Sequence, residues 1–426
     1  MMKNSYKRTI FSWSMYDFAN QPFTTLVITF IYSTYFVKGI APDEITGTVL
    51  WSRGITITAL VVALISPIMG AIADQGGYRK IFLIFWSWVC IIGSFFSFYA
   101  MPGEITKALF WVVIANIGFE MGGVFCNAYL PHIAPKEKIG RISGYGWSFG
   151  YVGGLLSLII VMVLLVNPET PAFGFSTENG ENIRATNLLV AIWFAIFSIP
   201  TFLWVKDKPV SQKMSFLLVK NSYAQIKSTF KEIKKYKQVS RFLIARILYN
   251  DGLITIFSFG GIYAAGTFGF TFDEIMIFGI VLNVTAGLGA FMFGFLDDKI
   301  GGKNTIQLSN LGLIIACLLA VFTTSKTVFW IAGILIGICS GPNQASSRSL
   351  MSRFTPKNKQ NEFFGFFAFS GKATAFVGPM MLGVLTAAFG SQRFGVAVVA
   401  LLVFLGAFVL HGLDEEEGAR ESLDNS

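Results

Sequence analysis

Twelve runs of about twenty mostly apolar residues constrain this chain more than any other feature, since a helix needs about that length to cross a bilayer. They lie near 10–38, 49–73, 80–100, 108–130, 143–166 and 187–205, then near 242–266, 273–296, 305–325, 327–350, 362–389 and 391–412. The runs are continuous and do not alternate every second residue, which excludes a membrane β-barrel. Backbone groups in lipid must be satisfied within the segment, so helix is the remaining choice. Of the 426 residues, 54% are hydrophobic and 13% charged, against roughly a quarter charged in a soluble chain. A soluble enzyme, a disordered protein and a nucleic-acid-binding domain each need a surface this chain cannot supply. The expected class is an all-α polytopic membrane protein.

The distribution of Lys and Arg orients it. With the amino terminus cytoplasmic, the tail and even-numbered loops hold 23 basic residues and the odd-numbered loops 6. Cytoplasmic loops carry the basic excess, so both termini are expected inside a bacterial-type plasma (inner) membrane. Met1 to Ile10 is basic, but no cleavage site of small residues follows a short apolar core, so no removable signal peptide is read. Cys90, Cys126, Cys317 and Cys339 lie in apolar stretches without metal-ligand spacing and read as small buried hydrophobes.

The expected divisions are a six-helix bundle over 1–205, a cytoplasmic basic linker over 206–241, a second six-helix bundle over 242–412 and an acidic tail over 413–426. The linker carries ten basic residues and two acids, Asp207 and Glu232. Lys227, Lys231, Lys234 and Lys235, with Phe230 and Ile233 between, suit an amphipathic helix lying on anionic lipid; a loop that binds a soluble regulator is the alternative. The stretch 167–186 is turn-forming and acidic and reads as a solvated extracellular connector.

The two halves repeat. Gly70 and Asp74, followed by Arg79 and Lys80, are matched by Gly294 and Asp298, followed by Lys303, at an offset of 224. Phe110-Trp111 and Phe329-Trp330 open the fourth and tenth runs, 219 apart. Pro135, Gly144 and Gly150 recur as Pro356, Gly365 and Gly371, all 221 apart. Near the start of each half, Tyr16-Asp17 is echoed by Tyr249-Asn250-Asp251. Six plus six parallel-repeated helices around a basic loop describe a transporter of two bundles.

At these residues the chain resembles the major facilitator superfamily, whose signature Gly-x-x-x-Asp-x-x-Gly-x-Arg/Lys occupies the loop between the second and third helices. Tyr16-Asp-Phe-Ala-Asn20-Gln and Gly341-Pro-Asn-Gln-Ala-Ser-Ser-Arg-Ser-Leu-Met are similar to one branch, the bacterial relatives of the fungal vacuolar amino-acid effluxers linked to autophagy. Tyr78 stands where the signature has its first basic residue, and Gly302 departs from it in the second half. The resemblance implies the major facilitator fold and solute transport by alternating access. It also implies that contacts of Asp74 and Asp298 form when the cytoplasmic side closes.

Ionisable side chains in the hydrocarbon cost about 2.5–3.5 kcal/mol each on insertion scales, so each one needs a reason. Asp17 and Asn20 share a face of the first helix, beside Pro22. Glu120 lies at mid-depth in the fourth, between Gly118 and Gly122, with Asn127 further on. Asn250 and Asp251 lie in the seventh, Asn343, Gln344 and Arg348 in the tenth, and Lys372 in the eleventh. Together they suit a central cavity for a small solute and a coupling ion, proton or sodium. An acid would take an ammonium, and Arg348 or Lys372 a carboxylate; ion pairing that only fixes bundle packing is the alternative. Arg246 is expected to snorkel to the cytoplasmic surface. Gly333, Gly337 and Gly341 read as a packing seam, as do Gly150 and Gly154.

No phosphate-binding loop, nucleophile–base pair or metal set is visible, so no cofactor and no enzymatic activity is expected. The leading expectation is a monomeric secondary transporter of amino acids or short peptides. A receptor or scaffold on a transporter fold, signalling through the basic loop or Asp414–Glu417, is the alternative.

Overall fold

The computed structural model describes residues 2–207, 209–231 and 233–424, and their regular elements are all helical. Twelve helices among them are long and apolar enough to cross a membrane. Numbered in order as spans 1 to 6, they are Ser5–Ile40, Glu44–Gly76, Arg79–Ser97, Ile105–Ile133, Lys136–Val166 and Glu178–Trp204. Spans 7 to 12 are Lys237–Phe268, Asp273–Ile300, Gly302–Phe322, Lys326–Phe354, Gln360–Phe389 and Gln392–His411. Local chemistry sets the ends. Asp43 accepts from the Thr46 N–H at 2.9 Å ahead of span 2, and Thr271 with Glu274 forms a reciprocal cap ahead of span 8. Gly77 ends span 2 with φ +76°, a left-handed turn that a side chain would strain.

Several spans depart from regular α-helix, among them spans 1 and 11, whose departures lie beside candidate residues. In span 1, Pro22 has no N–H to continue the ladder, and the helix widens into π geometry from Phe23 to Phe30, just past Asp17 and Asn20. Span 11, expected as one run over 362–389, is broken. An inner segment, Gln360–Lys372, and an outer segment, Val377–Phe389, meet at a turn where the Val377 N–H bonds the Thr374 carbonyl at 2.8 Å. Pro379 in the first turn of the outer segment needs no donor there, which suits a helix start.

The first six spans share one buried core, with Trp13, Tyr16, Phe23, Phe125 and Phe194 among its large side chains. A second, centred on Tyr249, Phe242, Phe354 and Phe363, joins spans 7, 9, 10, 11 and 12, and two smaller clusters complete that half. The halves meet along spans 2 and 11 and along spans 5 and 8. Ser66 donates to the Gly365 carbonyl at 3.1 Å, and Ser148 to the Gly287 carbonyl at 2.9 Å. A Cβ at Gly365 would lie 2.5 Å from the Ser66 carbonyl oxygen; one at Gly144 would lie 2.5 Å from that of Ala290. Ser66 with Ala290, and Gly144 with Gly365, keep the repeat offsets, so the two seams are copies of one contact.

Gly333, Gly337 and Gly341 press on Phe278, Thr285 and Ala286 of span 8. Gly150 and Gly154 press on Asp17, Gln21 and Thr25 of span 1. Both are seams of close helix approach. The linker forms a helix over Phe216–Lys231. It turns Leu218, Ser222, Ile226 and Thr229 inward, and leaves Phe216, Lys220, Tyr223, Lys227 and Lys231 exposed along the opposite stripe. Of the amphipathic pattern read there, the side chains of Phe230, Ile233 and Lys234 lie outside the described residues, as do Lys208 and Glu232 altogether. The acidic tail is a helix, Glu415–Asp424, packed under spans 7, 9 and 10 through Gln238, Gly302, Lys303 and Arg353.

Candidate transport pathway and gates

At mid-depth the halves are joined by two opposite-charge pairs. Arg348 of span 10 meets Asp17 of span 1 at 2.8 Å. Lys372 of span 11 meets Glu120 of span 4 at 2.6 Å. Arg348 also donates to Asn127 Oδ1 at 3.0 Å, to Ser143 Oγ at 2.9 Å and to the Ser143 carbonyl at 2.7 Å. Its guanidinium lies 4.7 Å from the Trp13 ring. A planar cation with several fixed donors is needed to hold that set together. Arg348 is nearly enclosed, with 4% of its side chain exposed, whereas Glu120 and Lys372 expose 20% and 28%. Asp17 exposes 17%, so the two acids are similarly accessible and the pairs differ in their bases: Lys372 is partly open and Arg348 is enclosed.

The remaining candidates divide. Gln344 donates to Asn250 Oδ1 at 3.1 Å, and Asn250 donates to the Gly371 carbonyl at 3.2 Å, beside the break in span 11. Asp251 accepts from the Gly378 N–H at 2.9 Å. Asn20 is buried one turn beyond Asp17. Asn343 is not part of this group, because it turns outward to Asn310 of span 9 at 2.8 Å and works as packing. Arg246 does not reach the surface either. It is buried, donates to the Phe367 carbonyl at 2.7 Å and to Ser370 at 2.9 Å, and stacks 3.7 Å from the Phe367 ring. That shelf holds one guanidinium nitrogen by two hydrogen bonds inside the bundle and leaves Nε without a partner.

On the face carrying both chain ends, the two repeated aspartates tie the halves together. Asp74, in the last turns of span 2, accepts from the Asn361 N–H at 3.1 Å, the Asn361 amide at 2.7 Å and the Glu362 N–H at 2.8 Å. These N–H groups open span 11, and a helix start favours a carboxylate through its unpaired donors and dipole. Asp298, at the end of span 8, accepts from the Arg141 N–H at 3.2 Å and from the Arg141 guanidinium at the start of span 5. Gly70 and Gly294 let each aspartate's helix lie against the facing backbone.

The basic residues expected beside these aspartates make their hydrogen bonds to other groups. Arg79 donates to Gln360 at 2.7 Å and lies 4.9 Å from the Tyr129 ring. The Lys80 N–H bonds Asp207 at 3.1 Å and its Nζ the Val205 carbonyl at 3.0 Å. The Lys303 N–H bonds Glu415 at 2.9 Å. Lys80 and Lys303 tie their loops to their own halves, whereas Arg79 reaches across to span 11. Sequence reasoning missed Arg141, Asn361 and Glu362. The 221 offset carried the signal, since 140 and 141 map onto 361 and 362. It also missed Asp297, which pairs with Arg353 at 2.5 Å, while Arg353 holds Glu415 at 2.9 Å.

The family description "Vacuole effluxer Atg22 like" matches residues 40–423. The chain belongs to this family. It is 28% identical over 421 residues to the MFS-type transporter YxiO of Bacillus subtilis (strain 168), covering 98% of this chain and 97% of that one. It is 22% identical to autophagy-related protein 22 of Yarrowia lipolytica, covering 88% of this chain and 76% of the relative. The fold matches the human organic anion transporter MFSD10 (TETRAN) with a TM-score of 0.75 at 11% identity, covering 95% and 99% of the two chains. It matches the proton:xylose symporter XylE with a TM-score of 0.74 at 14% identity, covering 98% and 97%. The chain is thus a multi-pass integral membrane protein of the major facilitator fold and of a transporter family, as the two repeated signatures lead one to expect.

Proposed function

We propose that this Atg22-like protein is a secondary active transporter that moves a small polar solute, amino acids or short peptides first, by alternating access with proton coupling. The observation that carries the reading is the pair of cross-half bridges, Asp17–Arg348 and Glu120–Lys372. Each bridge joins an acid of the first half to a base of the second. A zwitterion presents both charges, so it can exchange an internal bridge for one to its ammonium and one to its carboxylate. Solute binding then costs little in charge burial, and cargo that engages both halves favours the arrangement in which they close around it.

The positive-inside count supports placing the basic face, with both termini, in the cytoplasm of a bacterial-type inner membrane. Asp74 and Asp298 then hold the cytoplasmic side shut. The exposed stripe Phe216, Lys220, Tyr223, Lys227 and Lys231 suits contact with anionic headgroups. The packed tail helix, with Glu415 and Glu417 already engaged, gives less support to a signalling scaffold. The test is uptake into proteoliposomes of purified protein with a panel of zwitterionic, cationic, anionic and neutral solutes, with and without an inward proton gradient. Concentration of zwitterions that needs the gradient is expected. A panel in which no zwitterion is taken up while another class is would overturn the cargo assignment.

A further inference from the structure

Asp251 differs from the other two acids first considered for the centre, because it has no basic partner. Asp17 and Glu120 are bridged to Arg348 and Lys372. Asp251 is 3% exposed; its Oδ2 accepts the Gly378 N–H, and its Oδ1 is buried with no hydrogen-bond partner. The charged groups on the packed elements are turned elsewhere. In span 7 Lys237 is exposed and Arg241 is on the Gly412 carbonyl. In span 8 Glu274, Asp297 and Asp298 are paired with Lys326, Arg353 and Arg141, while Asp273 and Lys299 are exposed. Arg246 of span 7 is on Phe367 and Ser370, and Lys372 of span 11 is on Glu120. Arg348 and Arg353 of span 10 hold Asp17 and Asp297. Span 12 carries only Arg393 and His411, at its two ends, and Arg393 bonds the Val321 and Thr323 carbonyls. A lone buried carboxylate is costly unless a cation joins it.

Gly378 opens the outer segment of span 11, just past the break. In that segment the buried positions are Gly378 and Leu382. A Cβ on Gly378 would run into Thr255 Oγ1 and the Asp251 backbone. The contact between spans 7 and 11 at this level therefore rests on a bare backbone approach and one hydrogen bond.

We propose that Asp251 is the coupling-proton site and that its occupancy sets the outer segment of span 11. Deprotonated, the carboxylate holds the Gly378 N–H and the start of the segment's dipole. A proton arriving from water on the outer side binds Oδ1 and neutralises the charge. The bond to Gly378 weakens, and the segment turns about Ala373–Phe376 while the inner segment stays bound to Asp74. The inference rests on the transport reading for its purpose, but not for its test.

The experiment places spin labels at Phe389 and Ile45, both exposed, and measures their distance distribution in lipid nanodiscs without cargo from pH 8 to pH 5. In the wild type the ratio of two distance populations should change at least about fivefold. Asp251→Asn keeps an acceptor for Gly378 but cannot titrate, so its distribution should not move with pH. Gly378→Ala keeps the carboxyl but forces the segment off span 7, so it should show the acid-like distribution at every pH. A wild-type distribution that ignores pH, or an Asp251→Asn variant that still responds as the wild type does, would overturn the proposal. Labels that respond as expected in a protein that accumulates no solute would sink the transport reading and leave this one standing.

Discussion

Arg141 and Glu362 occupy the same place in the two halves, each at the start of a helix that an aspartate caps across the interface, yet they carry opposite charges. On one side the guanidinium and N–H of Arg141 both serve Asp298. On the other, only the N–H of Glu362 serves Asp74, with Asn361 supplying two more donors. The Glu362 carboxylate instead takes the Gln225 amide of the linker helix, whose side-chain oxygen accepts from Gln75 of span 2. One closure is an ion pair; the other is a set of hydrogen bonds threaded through the linker.

Removing the Asp74 carboxylate should therefore open the side of spans 2 and 11. Asp74→Asn turns a donor toward two backbone N–H groups, and contacts of this charge-assisted kind contribute about 1–3 kcal/mol, a roughly 5- to 150-fold population shift. Spin labels at the ends of spans 2 and 11 beside Asp74 and Glu362 should report a longer distance. An unchanged distribution, with activity lost only through poor expression, would reduce Asp74 to a structural cap.

The Glu120–Lys372 pair separates a cargo site from internal packing. Replacing either partner strands the other charge, so Glu120→Gln and Lys372→Met should each lower solute uptake about 100-fold, about 2.7 kcal/mol of barrier. If the pair only packs the bundle, the double variant regains activity because nothing is left unpaired. If it holds cargo, the double variant stays as inactive as the singles. Initial rates of uptake distinguish the two, and inactivity of the double is expected.

Arg348→Lys keeps the charge but loses the planar fork that serves Asp17, Asn127 and Ser143 together. Uptake about 10- to 100-fold below wild type is expected, with expression and melting behaviour little changed. Full activity in this variant would show that charge alone is what the position needs.

The glycine seam of span 10 can be tested by size. Gly341→Val places a branched side chain against the Ala286 backbone, and overpacking of that kind costs about 1–3 kcal/mol. Its melting temperature in detergent should drop by several degrees. Gly123, which has open space where a Cβ would go, should accept Ala without loss. Equal behaviour of the two variants would contradict the packing described.

Topology has a direct check. Asn179 is exposed in the first turn of span 6, and Tyr223 is exposed on the linker helix. A membrane-impermeant reagent added to intact cells should label a cysteine at Asn179 and reach one at Tyr223 only after permeabilisation.

The twelve spans were legible because length and apolar continuity report directly on a bilayer. The repeat was legible because it recurs at nearly constant spacing. Asp74 and Asp298 stood out for the same reason, but their partners did not. A partner across the interface depends on how two bundles approach, and nothing within six residues of Asp298 points to Arg141. Arg246 was misplaced because its depth was counted along the helix, whereas its fate depends on the Phe367 shelf of another span. The break in span 11 escaped because hydropathy weighs side chains and is blind to a missing backbone bond, although Gly371, Gly378 and Pro379 bracket it.

The wide turns of span 1 from Phe23 to Phe30 hold slack. A π turn takes up one residue more than an α turn, and the extra residue can migrate along the helix as one hydrogen bond is exchanged for the next. Each step turns the residue it passes by about 100° and advances it by about 1.5 Å. Side chains beyond Asp17 and Asn20 can thus be re-aimed like beads twisted on a string, with the buried stretch from Ser12 to Tyr16 left where it is.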